Sequence, residues 1–234
     1  MRVEPRDVGS VVHVIKRGAR GTDIVRDQSD RMRFRSSLLL LNDSFMDPNW
    51  SDALEPLGNS TRPNHWPEHD PLVHILAWTL MPNHFHLLLE EIKEGGIAKF
   101  MQRLCGSMSA TYNAKYAETG SLFQGAYRSK TVDDDMYLRY LTFYIQVKNI
   151  LELFPGGLKR AARDFDHAWE WALAYPFSSL PVYASGISSP IVENARLLDL
   201  YKNRADFKKE AREMLLTHLE HHDDAFSALA LEPW

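Results

Sequence analysis

The sequence predicts an α+β fold in which one antiparallel β-sheet is backed by helices. The stretch "VVHVIKRG", which begins at residue 11, alternates and is rich in β-branched residues, as is typical of a strand. Two further strand-like runs, "LVHILAWTL" and "HFHLLLE", are separated only by "MPN". Helical periodicity begins soon after them, at Ile97. Strands that pair locally and alternate with helices favour a single sheet with helical layers.

The first half of the chain is predicted to contain three strands, one helix and one long loop. The first strand should end at Gly18, and "DQSDRMRFRSSLLLLND" should form a helix with Ser29 or Asp30 as its N-terminal cap. Residues 43–71 are rich in Pro, Asn, Asp, Ser and Trp and lack a period, so we expect a long surface loop there. The Pro-Asn pair in "MPN" predicts a tight antiparallel hairpin.

The second half is predicted to complete the sheet and then to become helical. Apolar residues at spacings of three and four predict an amphipathic helix that runs to about Tyr116. The segment "LFQGAYRSKTV" should be extended, and "DDD" at 133–135 should cap a helix that continues through Lys148. The order β-α-β-β-α-β is that of a ferredoxin-like sheet. We expect a core at residues 1–155 and a helical C-terminal extension at residues 156–234.

Composition narrows the class of protein. The chain has 234 residues, is 44% apolar and carries a net charge of -4, which argues against a uniformly basic nucleic-acid binder. The charge is uneven, since residues 99–130 are basic and the chain beyond residue 193 is acidic. A single cysteine excludes an internal disulfide, and the apolar runs are too short to span a bilayer. The opening residues do not resemble a signal peptide, so a cytoplasmic protein is expected.

The start of the strand "HFHLLLE" carries two histidines, His84 and His86. Residues two apart in a strand project from the same face, about 6.6 Å apart along the backbone. Both imidazoles can therefore converge on one divalent cation, with Phe85 and the leucines directed to the core behind the sheet. The plain alternative is a pair of structural histidines at the edge of a strand, and a bare H-x-H pattern does not decide between the two.

Two other patterns could also bind a metal ion. His84, His86 and Glu90 fit the "HxHxxxE" pattern of cupins, but cupins need many more strands than this chain offers. The sequence "THLEHHDD" places His218, His221 and His222 on one helix face. Because acids surround that cluster, a solvated helix face is the expected explanation.

Taken together, the motifs resemble a known family. "VVHVIKRGARGTDIVRD", "WTLMPNHFHLLLE" and "GSLFQGAYRSKTVDDDMYLRYLTFYIQ" occur in the order found in the IS200-like single-tyrosine transposases, and "YPFSSLPVYAS" is similar to a segment of their REP-associated branch. The resemblance covers roughly residues 9–150. It implies a nuclease core with a His-hydrophobic-His metal site at His84 and His86, binding Mg²⁺ or Mn²⁺. It also implies that Tyr144, in the pair "YI", is the nucleophile, whereas Tyr137 and Tyr140 are expected to pack against the sheet.

One position departs from the family pattern. One turn after the tyrosine, the family usually supplies an amide side chain as the third metal ligand, and this chain has Lys148 there. A protonated lysine has no lone pair with which to bind a cation. Three explanations stay open: the two histidines act with phosphate oxygens and water, Asn149 reaches in through a local helix distortion, or the dependence on metal is weaker. Lys148 could instead be a catalytic residue that favours the phenolate form of Tyr144.

The resemblance implies a transposase-like enzyme that cleaves single-stranded DNA, beside a hairpin, and forms a 5′-phosphotyrosine. The expected partner is single-stranded or hairpin DNA, the expected location is the cytoplasm at the nucleoid, and either a monomer or a homodimer is compatible with it. A domesticated protein of the same fold that binds hairpins without cleaving them is the main alternative. The candidate phosphate contacts are Arg17, Arg103, Arg128 and Lys130. The candidate rings for stacking on unpaired bases are Phe123 and Tyr127.

Overall fold

The computed structural model describes residues 7–54 and 61–220. Its strands are β1 (Val11–Arg17), β2 (Val73–Leu80), β3 (His84–Glu91) and β4 (Arg128–Thr131). Within the described residues these strands form one sheet in the order β2-β3-β1-β4, and every neighbouring pair is antiparallel. The predicted antiparallel sheet is confirmed.

Helices lie between and after the strands. They are α1 (Gln28–Leu40), α2 (Gly96–Tyr116), α3 (Asp135–Phe143), α4 (Asn149–Glu152), α5 (Gly157–Arg163), α6 (Phe165–Leu173), α7 (Leu180–Ser185), α8 (Ala195–Leu198) and α9 (Arg204–Glu220). Short 3₁₀ turns occur at Ala19–Gly21 and Trp50–Ala53, and a π-helical turn (Tyr144–Lys148) joins α3 to α4. In the described part of the chain, every helix is too short or too polar to cross a bilayer.

The order of elements is β1-α1-β2-β3-α2-β4, as in a ferredoxin-like fold. The two central strands, β1 and β3, are separated in sequence by α1 and β2. The α+β fold class predicted from the sequence is therefore confirmed, and helices cover both sides of the sheet.

The hairpin between β2 and β3 forms as predicted. Leu80 lies opposite Phe85, and the backbone N–H of Met81 donates to the carbonyl of His84 at 2.8 Å. The short link, which contains the predicted Pro-Asn pair, sets the register of the two strands. His84 and His86 consequently project to one face of the sheet and Phe85 to the other.

The two faces of the sheet bury different clusters. We call the face covered by α1 and α2 the first face, and its central residues are Val12, Val14, Phe85, Leu87 and Leu89. The second face carries the histidines and is covered by α3, the π-turn and the C-terminal helices. Strand residues Ala77 and Leu88 belong to this second cluster, together with residues from α3 to α9. The helices beyond residue 155 thus share a core with the sheet, and the division at that residue stays a prediction.

The start of α1 differs from the prediction. The N-cap is Asp27, not Ser29 or Asp30. Its carboxylate accepts the backbone N–H of Asp30 at 3.0 Å, and the Asp30 carboxylate accepts the backbone N–H of Asp27 at 3.4 Å. The reciprocal pair is a capping box, in which Asp30 occupies the third helical position. The sequence offers two carboxylates three residues apart, and the extended backbone at Asp27 decides which is the cap.

The segment "LFQGAYRSKTV" is extended only in part. Phe123 pairs with Gly18 at the end of β1, and the chain then leaves the sheet before it returns as β4 at Arg128. Gly125 has φ of 55°, a left-handed conformation that suits glycine and interrupts a strand. The excursion at 124–127 forms one wall of a groove beside β1 and β4.

The loop at 43–71 is less superficial than predicted. Trp50 and Trp66 are both buried and pack with Leu40 and Leu41 in a small cluster of their own. Residues 55–60 lie outside the described part of the chain. The two tryptophans supply the apolar contacts that anchor this loop to the end of α1.

Replacement of the α1 cap should lower stability. Asp27→Ala removes the capping bond and the 2.6 Å ion pair with Lys115, and we expect the free energy of unfolding to fall by about 1 kcal/mol. Asp27→Asn is the matched control, because asparagine caps nearly as well and loses only the charge. Urea unfolding of the three proteins measures both differences, and equal losses for Ala and Asn would assign the effect to the ion pair.

The same comparison has an expected pH dependence. Hydrogen bonds from Lys115 and from the backbone of Asp30 hold the pKa of Asp27 well below its usual range. A carboxylate with a lowered pKa stabilises the fold at pH values above its unfolded pKa, and this contribution disappears as the pH falls towards the folded value. The gap between wild type and Asp27→Ala should therefore persist at neutral pH and shrink in acid.

Candidate active site

The second face of the sheet brings together several of the side chains singled out in the sequence. Residues directly opposite each other on neighbouring strands project to the same face. His84 lies opposite Arg17, and His86 lies opposite Ile15. Ile15 in turn lies opposite Arg128 of β4. Both histidines and both arginines therefore lie on the face that the C-terminal half of the chain covers.

His84 and His86 are neighbours, as their spacing predicted. Their ring centroids are 5.0 Å apart and the rings are nearly perpendicular, at 78°. His84 is half-buried, and its Nδ1 is 2.7 Å from the side-chain oxygen of Asn83. His86 is fully buried. The pair thus combines a partly accessible ring with one that is held inside the protein.

A third histidine lies beside this pair and was not predicted from the sequence. His13 of β1 is fully buried, and its Nε2 is 2.9 Å from Nδ1 of His86. The two rings are almost parallel, at 17°. A polar residue in the middle of the apolar stretch "VVHVIKRG" was a signal for His13, but its partner could be found only from the pairing of β1 with β3.

Tyr144 meets the histidines across the second face. Its ring centroid is 5.5 Å from that of His86 and 6.2 Å from that of His13, in edge-on arrangements. The Tyr144 side chain is 3% exposed. Tyr140 and Tyr137 are buried as well, and the Tyr140 ring lies 5.8 Å from that of Tyr144. Tyr137 and Tyr140 therefore pack in the core, as the sequence suggested. Burial, together with the charge of Asp133, raises the pKa of Tyr137 to about 12.

Tyr144 begins the π-helical turn that joins α3 to α4. The backbone N–H of Asn149 donates to the carbonyl of Tyr144, five residues earlier, instead of four as in an α-helix. The hydroxyl of Thr79 on β2 donates to the carbonyl of Ile145 and so attaches the turn to the sheet. A wide turn of this kind moves the residue at the fifth position towards the face that Tyr144 occupies. Such turns often occur at functional sites.

The three polar residues after Tyr144 have different surroundings. Gln146 is buried, and its side-chain oxygen accepts a hydrogen bond from Ser179 at 3.1 Å. Asn149 is 1% exposed, and its side-chain nitrogen makes no hydrogen bond within the described residues. Lys148 places its ammonium 4.6 Å from the centroid of the Tyr144 ring and 2.6 Å from the carboxylate of Glu152. The local helix distortion that was one explanation for the third ligand is therefore present, as the π-helical turn that precedes Asn149.

A groove of about 300 Å³ lies on the same side of the molecule, between the end of β1 and the start of β4. Arg17, Tyr127 and Arg128 line it, together with Ile15 from the row that includes His86. Lys130 lies farther along β4 and is 4.8 Å from the centroid of the Tyr137 ring. Four of the six predicted contact residues therefore line this groove or lie beside it, on the side of the sheet that carries the histidines.

The other two predicted contact residues lie elsewhere. Arg103 is on α2, which covers the first face, and its guanidinium donates to the carbonyl of Asp43. Phe123 is 4% exposed and packs edge-on against Phe85 at 6.0 Å, also on the first face. In this structure the Phe123 ring is part of the core, and its surface is not presented to an unpaired base.

The cupin-like alternative for a metal site does not assemble. Glu90, the last member of the cupin-like pattern, bonds to His74 at 2.9 Å and to Arg196 at 2.6 Å. Cupins are eight-stranded jelly rolls, and the sheet described above is of another kind. Among the residues that the structure describes, no group of three or more His, Cys, Asp or Glu side chains is placed to hold a metal ion. Of the histidines in "THLEHHDD", His221 and His222 lie outside the described residues, so that pattern stays a prediction.

Comparison with known proteins gives one family and one structural neighbour of note. Residues 68–148 match the model of the family described as "Transposase IS200 like". No curated protein matches the chain. Among solved structures, a REP-associated tyrosine transposase bound to a REP hairpin is similar with a TM-score of 0.43 and 11% identity, over 83% of this chain and 90% of that chain.

The family match spans the site itself. It begins before β2, contains His84, His86 and Tyr144, and ends at Lys148, the last residue of the π-turn. The resemblance inferred from the sequence is confirmed on this segment, since residues 68–148 are similar to the IS200-like transposases.

Proposed function

We propose that this protein cleaves and rejoins single-stranded DNA through a covalent tyrosine intermediate. The observation that carries the proposal is the meeting of Tyr144, His86 and His84 on one face of the sheet. The match of the segment that contains all three residues to IS200-like transposases supports it. A phenol beside paired imidazoles supplies the nucleophile and the metal ligands that a metal-assisted transesterification needs.

The reaction would exchange one phosphodiester for another. The phenol oxygen of Tyr144 attacks the phosphorus in line with the bond to the 3′ oxygen, and that bond breaks as the new one forms. The phenol proton is lost to solvent and the departing 3′ oxygen gains a proton. The products are a 5′-phosphotyrosine and a free 3′-hydroxyl. Because the phosphodiester energy is kept in the protein–DNA bond, attack by a 3′-hydroxyl rejoins the strand without ATP.

The side chains around His86 fit a divalent cation, for which Mg²⁺ and Mn²⁺ are the candidates. His84 and His86 both use Nδ1 in hydrogen bonds, so each would bind the ion through Nε2. Asn149 is our choice for the third ligand, because a π-turn shifts the fifth residue towards the face that Tyr144 occupies. Its buried amide can also rotate to present oxygen in place of its unbonded nitrogen. When bound, such an ion polarises a phosphate oxygen and stabilises charge that develops during the reaction.

Lys148 is proposed to act on Tyr144 through its charge. Its ammonium lies against the face of the Tyr144 ring and is largely buried, where a charge interacts more strongly than in water. A nearby cation favours the phenolate, which is the nucleophilic form of tyrosine. The carboxylate of Glu152 holds the ammonium in place and partly offsets its electrostatic effect on Tyr144.

The path of the DNA is proposed to run along the groove beside β1 and β4. Arg17 and Arg128 would bind phosphates there, Lys130 would extend the basic strip, and Tyr127 would offer an aromatic surface for an unpaired base. Because Tyr144 is almost completely buried, a strand laid in this groove can react only after the side chains that cover the phenol move aside. We expect DNA binding and this opening to be coupled.

A second candidate function is hairpin-DNA binding without cleavage. Two observations favour it: Tyr144 is 3% exposed, and a lysine stands where the family usually has an amide ligand. The two candidates share the same DNA path and differ only in chemistry at Tyr144.

Substitution of the proposed nucleophile separates these functions. Tyr144→Phe should abolish the covalent protein–DNA adduct while DNA affinity stays within about twofold, because only the phenol oxygen is lost. Denaturing gels of a labelled single-stranded or hairpin oligonucleotide, incubated with Mn²⁺, measure the adduct. Tyr140→Phe is the matched control and should keep it. Survival of the adduct in Tyr144→Phe would remove this residue from the mechanism, and its absence from the wild type would favour the binding protein.

Loss of the cation at residue 148 should move the pH dependence of cleavage. In Lys148→Met the phenolate is less favoured, so the rise in cleavage rate should shift to higher pH by about one unit, the lower end of what a nearby opposite charge produces. Lys148→Arg keeps the charge and should keep the profile close to that of the wild type. A pH–rate profile that is unchanged in Lys148→Met would exclude an electrostatic role for this lysine.

The proposed DNA path predicts a contrast between two arginines. Arg128→Ala should weaken binding to single-stranded DNA and lower the dependence of log K on log salt by about 0.7, the value for one phosphate contact. Arg103→Ala should leave that slope unchanged, because Arg103 lies on the opposite side of the sheet and bonds to Asp43. Fluorescence anisotropy over a range of salt concentrations measures both. The reverse result would place the DNA over α2.

A further inference from the structure

His13 contacts His86 directly but is neither one of the proposed metal ligands nor the proposed nucleophile. Its Nε2 faces Nδ1 of His86 at 2.9 Å, and both side chains are fully buried. The family match begins at residue 68 and does not include β1, so the contact is formed by a strand outside the matched segment. His13 and His86 are diagonal neighbours on adjacent strands, because in this register His13 lies opposite Leu88 and Ile15 lies opposite His86.

Two imidazole nitrogens at this distance must share one hydrogen, because each neutral ring has one donor and one acceptor. In one arrangement His86 donates from Nδ1, and its Nε2 then carries a lone pair. In the other arrangement His13 donates from Nε2, and neutral His86 then carries its hydrogen on Nε2. Only the first arrangement lets His86 bind a cation through Nε2.

We propose that His13 is a positioning residue that accepts the Nδ1–H of His86 and so holds His86 in the tautomer and orientation that bind a divalent cation. The proposal rests on the metal pair of the proposed function. Metal-binding histidines in other proteins commonly donate their second ring N–H to a carboxylate or a carbonyl, and here a second imidazole takes that place. Since both rings are packed in the interior, neither can turn away without breaking buried contacts.

The contact also connects three elements of the site. His13 belongs to β1, His86 to β3 and Tyr144 to the π-turn, and the ring centroids of all three lie within 6.2 Å of one another. A substitution at residue 13 should therefore change the affinity of His86 for a cation, and the DNA groove at the end of β1 should be unaffected.

The experiment measures binding of Mn²⁺ alone to the full chain, without DNA, by titration calorimetry. We expect His13→Phe, which keeps the ring but has no acceptor, to weaken Mn²⁺ binding about 10- to 100-fold. His13→Gln places a side-chain oxygen near the position of Nε2, and we expect it to restore affinity to within a few-fold of the wild type. ¹⁵N NMR of the imidazoles, measured without metal, should find His86 in the Nδ1–H tautomer in the wild type and in His13→Gln.

The possible outcomes are distinguishable. If His84→Ala and His86→Ala lose Mn²⁺ binding while His13→Phe keeps it, the role of His13 is overturned and the metal pair stands. If His13→Phe does not fold, the tautomer of the wild type decides, and an Nε2–H hydrogen on metal-free His86 overturns the proposal. Absence of Mn²⁺ binding by the wild type also overturns it, whereas the adduct assay on Tyr144 tests the cleavage function independently.

Discussion

The register of β1 against β3 is the constraint on which the rest of the site depends. It places His13 and His86 on the second face within hydrogen-bond distance, and it places Arg17 opposite His84. A slip of one residue would turn every side chain of a strand to the other face. The first-face cluster prevents this, because the slip would bring the histidines of β3 into an apolar core and remove Phe85 from it. The hydrophobic core thus determines where the polar chemistry lies.

The second face is unusual because it is both a buried core and a candidate reaction site. Tyr144 packs against His86 and Tyr140 as a core residue would, and the π-turn that begins with it is attached to β2 through Thr79. Burial of a phenol beside a cation and two imidazoles is a preorganised arrangement, since few groups need to move relative to one another. Its cost is access, because the phosphate can reach the phenol only when the covering side chains move.

Much of the fold could be predicted from the sequence because its signals are local. The alternation in "VVHVIKRG", the "MPN" link and the period from Ile97 each produced the expected element. The misses arose where two local signals compete. Asp27 and Asp30 can each cap a helix, and the backbone conformation decides between them. The tryptophans of the loop at 43–71 are buried by contacts with α1 that no short window of sequence contains.

By itself, the sequence determined the fold class, the pairing of β2 with β3, and the presence of His84, His86 and Tyr144 in an IS200-like context. Those features depend on neighbouring residues and on motif order, which a linear chain displays. Only the tertiary structure decided that His13 touches His86, that a π-turn separates Tyr144 from Asn149, and that Arg103 lies across the sheet from Arg128. Each of these depends on strand register or on helix geometry, and both are set by packing between segments far apart in the chain.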